Sequence, residues 1–314
     1  NIGFPNLDDF SFCYFETFAI DATVFSEEFR HSKFVTYRVK DAIADWFMER
    51  ENRRPSIRLD NPDLFLNVHI SHTQCTISLD SSGESLHKRG YRDAQTEAPI
   101  NEALAAGMLL LAGWDGKSNF IDPMCGSGTF LIEAALIALN IPPCIYRQSF
   151  AFEKWADFDK ELFEELYNDD SLERPFEFKI MGADVSPRAV KIAQENIKAA
   201  GLHKYITVEQ RSISDWELQT ETGLIVTNPP YGERLLSDDL FGLYAQLGET
   251  LKHKFTGSTA WVISSHVDCL QRVGLRPSAK VKLLNGALDC EFWKYELFRG
   301  KREEFVVKKL NRRD

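Results

Sequence analysis

The sequence lacks the features that mark several large classes of protein. No apolar run approaches the roughly 20 residues that a helix needs to span a bilayer. No basic start followed by an apolar core indicates a secretory signal. The formal net charge of the 314 residues is −10, so the surface as a whole is not suited to coating nucleic acid, although a local basic face can still bind it. What remains is a globular chain of one large domain or two ordinary ones, with no membrane partner.

The six cysteines do not indicate a metal site. None of them forms a C-x-x-C pair, and no histidine cluster accompanies them, so no metal is expected. We interpret them as free thiols in a reducing, cytoplasmic compartment. Cys125 follows a predicted strand, but no base is identifiable beside it. It is therefore interpreted as a small loop residue and not as a nucleophile.

Two regions of the chain differ in their hydrophobic pattern. Residues 1–95 predict a small α+β module, with a helix over 35–50 and a hairpin formed by the alternating stretches 64–70 and 74–79. From residue 96 to residue 314, helices and strands alternate. This alternation favours a parallel sheet with helices on both faces.

The second region is predicted to end in an antiparallel hairpin over 279–297, because Asn285-Gly286 lies between two strand-like runs. Residues 141–175 interrupt the alternation and are interpreted as an insertion over one edge of the sheet. The predicted strands are 119–122, 176–185, 205–210, 223–228 and 258–265, and the predicted helices are 96–114, 129–140, 186–201 and 239–254.

A glycine-containing loop, DPMCGSG, follows the first strand of this sheet and includes Asp122, Gly126, Ser127 and Gly128. Such a loop lies at the carboxyl ends of the strands, where open α/β sheets bind ligands, and its glycines allow close approach of the backbone. The loop matches neither a dinucleotide fingerprint nor a P-loop. It favours a nucleoside-like cofactor without a pyrophosphate. S-adenosylmethionine fits, with its carboxylate near the helix start.

Polar residues after the next two strands are candidate cofactor contacts. Asp184 can accept two hydrogen bonds from ribose hydroxyls or can cap the following helix, and its combination with the glycine loop favours the ribose. After the third strand, Ser212 and Asp215 are candidates for the adenine amino group. For Asp215 a helix-capping role fits equally well.

The fourth strand ends in Asn228-Pro229-Pro230-Tyr231, and prolines stop a strand because they donate no N–H. The Asn228 side-chain oxygen and the Pro229 carbonyl can each accept one hydrogen of a planar exocyclic amine. This pushes the nitrogen toward tetrahedral geometry and aims its lone pair at the sulfonium methyl, so that positioning promotes transfer without a metal. Tyr231 can stack on a base swung out of its helix or loop.

Three segments together resemble the bacterial THUMP-containing 23S rRNA guanine-N2 methyltransferases, namely LDSSGESLHKRGYR (79–92), IDPMCGSGTFLIEAA (121–135) and TNPPYGERL (227–235). The resemblance begins near residue 17. It implies an N-terminally incomplete THUMP-like module over 1–95 and a Rossmann-like class I methyltransferase domain over 96–314. Because the chain ends at Asp314, we expect the single-activity form and not a relative with a second methyltransferase domain.

The resemblance also assigns roles to individual residues. Relatives often carry Asp where this chain has Ser212. The implied cofactor contacts are Asp122, Gly126, Ser127, Gly128 and Asp184, and the implied target-amine contacts are Asn228, Pro229 and Tyr231.

The predicted function is methyl transfer from S-adenosylmethionine to the exocyclic N2 amine of a guanine in 23S rRNA or its large-subunit precursor. Alternatives are a tRNA guanine-N2 methyltransferase, a DNA adenine-N6 methyltransferase and an RNA-binding assembly factor without catalysis. Several basic residues are candidate RNA contacts, although each group is equally consistent with a solvated face. These residues are Arg53, Arg54, Lys88, Arg89 and Arg92.

Overall fold

The computed structural model describes residues 15–92, 100–217, 221–231 and 237–300. The chain forms two compact units. One comprises Asn1–Leu86 and Arg147–Asp169, and the other comprises His87–Tyr146 and Asp170–Asp314. The predicted boundary near residue 95 lies outside the described residues.

The first unit contains a four-stranded sheet and a long helix. The strand order is β2-β1-β3-β4, in which β1 runs parallel to both of its neighbours and β3 forms an antiparallel hairpin with β4. The predicted helix and hairpin are therefore confirmed, whereas β1 and β2 were not predicted. The elements are β1 Thr17–Phe25, α1 Ser32–Glu51, β2 Ser56–Ile57, β3 Leu64–Ser71 and β4 Gln74–Leu79.

One face of α1 packs into the core of this unit. Val35, Val39 and Phe47 are buried on the helix at the spacing that places side chains on one face. They join Phe18 of β1 and Val68 of β3 in one apolar cluster. The sheet is thus covered on the side that carries its buried, alternating residues.

Residues 147–169 belong to this first unit. This differs from the predicted insertion over an edge of the second sheet. Arg147 Nη2 donates to the carbonyl oxygens of Ser82 at 3.1 Å and Glu84 at 2.7 Å, and the Phe152 amide donates to the Ser81 carbonyl at 3.1 Å. The segment ends in helix α4, Lys160–Tyr167. Its helical pattern was predictable, but its docking depends on these distant carbonyls.

The second unit is built on a seven-stranded sheet of order β10-β11-β9-β8-β5-β6-β7. Strands β5 to β9 are parallel, and β11 is antiparallel to both β9 and β10. This confirms the predicted Rossmann-like sheet with a terminal antiparallel hairpin. The strands are β5 Asn119–Asp122, β6 Ile180–Asp184, β7 Ile206–Gln210, β8 Gly223–Thr227, β9 Thr259–Ser264, β10 Ala279–Asn285 and β11 Leu288–Glu296.

Helices bury both faces of this sheet. Successive residues of β8 alternate between two apolar clusters, with Leu224 and Val226 in one and Ile225 in the other. Such double burial is typical of parallel sheets. The short helix α7 was not predicted, and residues 96–99 of the first predicted helix lie outside the described residues. The helices are α2 Glu102–Leu111, α3 Thr129–Leu139, α5 Pro187–Ala199, α6 Ser237–Lys254 and α7 Val267–Arg272.

The strand order places two candidate motifs at adjacent positions. The chain runs from β5 outward to β6 and β7, and then returns to the other side of β5 as β8. The strand order therefore reverses between β5 and β8, which is where open α/β sheets bind ligands. The glycine loop follows β5. The segment Asn228-Pro229-Pro230-Tyr231, which we call the Asn228 corner, follows β8.

Candidate active site

The glycine loop joins β5 to α3 in a backbone conformation that requires glycine. Gly126 has φ of 52° and Gly128 has φ of 83°, both in the left-handed region. A Cβ on Gly128 would lie 3.2 Å from Ala193 Cβ on α5. The Ser127 carbonyl accepts a hydrogen bond from Asn196 Nδ2 at 3.0 Å. The start of α3 is therefore held close to α5, with its first amides at the ligand edge of the sheet.

Asp184 connects the end of β6 to this loop. Its Oδ2 accepts from the Gly126 amide at 3.0 Å, and its Oδ1 accepts from the Ser186 amide at 2.9 Å. Ser186, and not Asp184, supplies the side-chain cap of α5 through the Ala189 amide. Each carboxylate oxygen retains a further lone pair. Asp184 can therefore shape the loop and still accept hydrogen bonds from a ribose.

Asp122 is the most deeply buried acid of the site, with 1% of its surface exposed. Its Oδ1 accepts from the Met124 amide at 3.2 Å. Burial raises the pKa of Asp122 to about 7, with a further contribution from the negative charge of Asp184, whereas the hydrogen bond from the Met124 amide acts in the opposite direction. Asp122 thus fixes the first turn of the loop through its hydrogen bond from the Met124 amide.

Cys125 lies inside the same loop and is buried. Burial raises the pKa of the Cys125 thiol well above its usual value, and the carboxylates of Asp122 and Asp184 act in the same direction. A thiol in such surroundings is held in its unreactive neutral form. This agrees with its interpretation as a small loop residue.

The candidates for adenine binding lie together in a short 3-10 turn after β7. The Asp215 amide donates to the Ser212 carbonyl at 3.0 Å, and Asp215 Oδ1 accepts from Ser214 Oγ at 3.1 Å. The preceding Arg211 amide donates to the Asp184 carbonyl at 3.0 Å. The backbone therefore links this turn to the Asp184 strand end. Both Ser212 and Asp215 remain candidate contacts for the adenine of the cofactor.

Asn228 carries the most informative polar atom of the site. Its Oδ1 is buried, and no hydrogen-bond partner for it exists among the residues that the structure describes. A buried acceptor without a partner costs free energy, and the great majority of such groups in folded proteins are paired. Pro229, which follows it, is buried, whereas Pro230 is exposed. The corner therefore presents an unsatisfied acceptor at the switch point of the sheet.

Tyr231 is half-buried and is held at both ends. Its ring packs against the larger apolar cluster, and its hydroxyl accepts from Asn285 Nδ2 at 2.8 Å. Burial raises the pKa of Tyr231 to about 12, so the side chain is neutral. Residues 232–235 of the quoted motif lie outside the described residues. The Asn285 contact was missed by sequence reasoning, which used Asn285 only as a hairpin signal.

The structure separates the five basic candidates by exposure. Arg89 is 7% exposed, and its Nε pairs with Glu133 Oε1 at 3.2 Å. Arg92 Nε pairs with Glu102 Oε1 at 2.7 Å, and its Nη2 donates to Thr129 Oγ1 at 2.8 Å. These ion pairs engage both side chains within the second unit. RNA contact by Arg89 and Arg92 stays a prediction, and the ion pairs favour a structural role for both residues.

Arg53 also has an internal role, because its Nη1 donates to the Phe15 carbonyl at 2.6 Å and its guanidinium pairs with Glu51. Arg54 and Lys88 are exposed. Of the five candidates, these two keep the exposure that an RNA contact requires. This division was not predictable, because a run of basic residues in a sequence does not reveal which side chain points inward.

The described residues contain neither a helix long and apolar enough to cross a membrane nor a group of three or more metal-ligating side chains. The ligand edge instead gathers a glycine loop, a strand-end acid and an amide–proline corner on a seven-stranded open sheet. This combination on an open α/β sheet is typical of a protein that binds a nucleoside cofactor at the carboxyl ends of its strands.

The family comparison agrees with this class. Residues 89–294 match the family described as the RMKL-like methyltransferase domain, and residues 7–80 match the THUMP domain. The chain belongs to the RMKL-like methyltransferase family. The predicted family and the predicted combination of a THUMP module with a methyltransferase domain are thereby confirmed.

Individual relatives cover the chain to different extents. The Synechocystis sp. protein slr0064, whose name assigns it provisionally to the RNA methyltransferases, is 39% identical over 90% of this chain and 74% of its own length. The ribosomal RNA large subunit methyltransferase K/L of Syntrophotalea carbinolica is 40% identical over 90% of this chain. This chain spans 41% of that relative.

A solved structure covers the same two regions. SMU.472, crystallised as a complex with SAH, has a TM-score of 0.82 and 30% sequence identity to this chain. The match covers 94% of this chain and 78% of SMU.472.

Proposed function

We propose that the protein transfers a methyl group from S-adenosylmethionine to the exocyclic N2 amine of a guanine in 23S rRNA or its large-subunit precursor. The observation that carries this proposal is the buried Asn228 Oδ1, which has no partner among the described residues. An amine hydrogen of the substrate would satisfy that acceptor. The proposal also places the protein in the cytoplasm, where ribosomal RNA is modified in bacteria.

The Asn228 corner would activate the amine through hydrogen bonding. Asn228 Oδ1 and the Pro229 carbonyl accept the two N–H groups, which reduces delocalisation of the nitrogen lone pair into the base. With the amine held in this way, its nitrogen would be the nucleophile toward the methyl group that the cofactor supplies, S-adenosylhomocysteine would be the leaving group, and the displaced N–H proton would pass to water. Positive charge develops on the nitrogen during transfer, so buried and fixed acceptors stabilise the transition state more than the ground state.

The residues after β5 and β6 fit the cofactor, which is S-adenosylmethionine in this family. The cofactor supplies an electrophilic methyl group. Gly126 and Gly128 let the loop backbone approach it, Asp184 has lone pairs left for the ribose hydroxyls, and the start of α3 offers amide donors to its carboxylate. Ser212 and Asp215 are the proposed contacts to the adenine.

RNA recognition is proposed to involve the THUMP unit and the exposed cations. Arg54 in the first unit and Lys88 in the second are exposed, and cations of this kind contact phosphates. The half-buried Tyr231 would provide the aromatic surface against which the extruded base is held. Ribosomal RNA is favoured over tRNA because relatives that are 40% identical bear the name ribosomal RNA large subunit methyltransferase K/L.

A second candidate function is adenine-N6 methylation, because the same corner suits that exocyclic amine. Asn228 Oδ1 and a carbonyl accept amine hydrogens of either base. This corner alone does not distinguish guanine from adenine, and the THUMP unit is what favours RNA as the substrate.

Nucleoside mass spectrometry of a deletion strain tests the proposal. We expect 23S rRNA from that strain to lack one N2-methylguanine, which the wild-type gene restores and the Asn228→Ala variant does not. Pro230→Ala is the matched control, because this exposed residue of the same corner is not a proposed acceptor. Loss of a methyl group from tRNA or DNA alone, or no loss at all, would reject the rRNA assignment.

A further inference from the structure

The tip of the β10–β11 hairpin contacts the residue proposed to hold the target base. Asn285 is the last residue of β10, and its main chain pairs with Leu288 across the turn. Its side chain points to the Asn228 corner, where Asn285 Nδ2 donates to the Tyr231 hydroxyl at 2.8 Å. Tyr231 follows β8, which is three strands away from β10 in the sheet. The hairpin therefore contacts the residue that is proposed to hold the target base.

The buried Cys290 of β11 belongs to the apolar cluster against which the Tyr231 ring packs. Tyr231 therefore has apolar packing around its ring and one directional partner, Asn285, at its hydroxyl. A directional contact at the end of a ring restricts its rotation about the preceding side-chain bonds, whereas apolar packing alone leaves more freedom.

The main chain of the hairpin does not depend on this contact. The β10–β11 ladder continues from Asn285–Leu288 to Ala279–Lys294, and β11 also pairs with β9 along its length. The Asn285 side chain is therefore available for a role beyond turn formation. Its donor is directed at a tyrosine that is only partly buried.

We propose that Asn285 is a positioning residue for methyl transfer, which fixes the Tyr231 ring in the orientation that holds the target base against the Asn228 acceptor. This inference rests on the proposed function, because it deepens the role of Tyr231 in that site. The hairpin would then be part of the base-binding site and not only a cover for the sheet edge.

A double-mutant cycle tests this role. Asn285→Ala and Tyr231→Phe each remove one partner of the hydrogen bond, and each should lower kcat/KM by roughly two- to tenfold, the effect of losing one neutral hydrogen bond. The double variant should be no slower than either single variant, because only one bond is lost. Affinity for S-adenosylmethionine should not change. Additive losses in the double variant would overturn the proposal.

Leu284→Ala is the matched control within the hairpin. Leu284 is 64% exposed and immediately precedes Asn285, so its truncation perturbs the same strand without touching Tyr231. This variant should keep wild-type kcat/KM and wild-type thermal unfolding. If it lowered kcat/KM as much as Asn285→Ala does, the effect would belong to the hairpin in general, and the proposal would fail.

A spectroscopic measurement separates this proposal from the proposed function. In protein labelled with ¹³C at tyrosine Cζ, the Tyr231 resonance should shift in Asn285→Ala and stay in place in Leu284→Ala, with no RNA present. An unchanged resonance in Asn285→Ala would overturn the positioning role even in an active enzyme. If the protein methylated no guanine, the proposed function would fail, whereas the cycle could be repeated on the amine that it does methylate.

Discussion

Two strand-end side chains at the ligand edge, Asp184 and Asn228, differ in whether the protein itself satisfies them. After β6, the Asp184 carboxylate accepts from the Gly126 and Ser186 amides and thereby joins its own strand end to the loop after β5. After β8, the Asn228 Oδ1 is buried without a partner among the described residues. The loops proposed to bind the cofactor, which we call the cofactor half, are therefore joined to each other without a ligand. The corner after β8, the proposed target half, keeps an acceptor without a partner among the described residues, and the amine of the proposed substrate would complete it.

Under the proposed function, this difference separates the residues that bind the cofactor from the residue that acts on the target amine. Groups that shape a loop must be satisfied by the protein itself, because the loop has to exist before the cofactor arrives. A group that acts on developing charge is most effective when it is fixed, buried and not engaged by another protein group. The comparison predicts that substitutions in the two halves will affect different measurable quantities.

The largest expected effect is on the target half. Asn228→Ala should lower kcat by about 100- to 1000-fold, the scale seen when one preorganised polar contact to a transition state is removed. Cofactor affinity should stay at the wild-type value, because Asn228 follows β8 and not the cofactor loops. Single-turnover methyl transfer and titration calorimetry measure the two quantities. A variant with lost cofactor binding and normal turnover at saturation would reverse the assignment of the two halves.

The next largest effect is expected on the cofactor half. Asp184→Ala removes the acceptor of two backbone amides and of the proposed ribose contact, so the Kd for S-adenosylmethionine should rise by at least about tenfold. Asp215→Ala serves as the comparison, because Asp215 is exposed and bonded within its own turn. If Asp215→Ala changed the Kd for S-adenosylmethionine by less than about threefold, the effect of a weak exposed contact, Ser212 would be favoured as the contact to adenine. Unchanged calorimetry for Asp184→Ala would reject the ribose contact.

A smaller effect is expected from the loop backbone. Gly128→Ala places a Cβ in the left-handed region and 3.2 Å from Ala193 Cβ, and it should lower the free energy of unfolding by about 1–2 kcal/mol. Gly107→Ala in α2 is the matched control, since nothing lies within 4 Å of its added Cβ. That control should stabilise the protein by about 0.5–1 kcal/mol. Chemical denaturation measures the free energy of unfolding of both variants. A change of the same sign in both would contradict the account of the loop.

The smallest effects are expected at the exposed cations. Lys88→Ala and Arg54→Ala should each weaken RNA binding modestly and reduce the slope of log K against log salt by about 1. Stability should not change in either variant. Arg89→Ala should instead destabilise the protein by about 3–5 kcal/mol, because it leaves Glu133 buried without its ion-pair partner. An Arg89→Ala protein of normal stability with weakened RNA binding would support its predicted RNA contact.

The sequence predicted the architecture of the second unit better than the roles of its basic residues. Strand ends, the glycine loop and the Asn285-Gly286 hairpin were predictable because each rests on local backbone chemistry. The docking of residues 147–169 was not, because it depends on Arg147 reaching carbonyls of the first unit. The burial of Arg89 was also hidden, since its partner Glu133 is 44 residues away.

Within the site, the same limit applies. The place of Asn228 at the ligand edge was predictable, because it follows a strand and precedes two prolines that end the strand. The contact from Asn285 to Tyr231 joins two residues that are 54 positions apart. Local patterns carry no information on a pair at that separation, so only the folded sheet brings it into view.

Removal of the amine itself tests the central claim most directly. After mass spectrometry has mapped the modified guanine, that nucleotide is replaced with inosine, which lacks the N2 amine, in a synthetic RNA of otherwise identical sequence. We expect the guanine RNA to accept one methyl group and the inosine RNA to accept none, while both RNAs bind the protein with the same affinity. Methylation of the inosine nucleotide would show that the Asn228 corner does not act on an exocyclic amine.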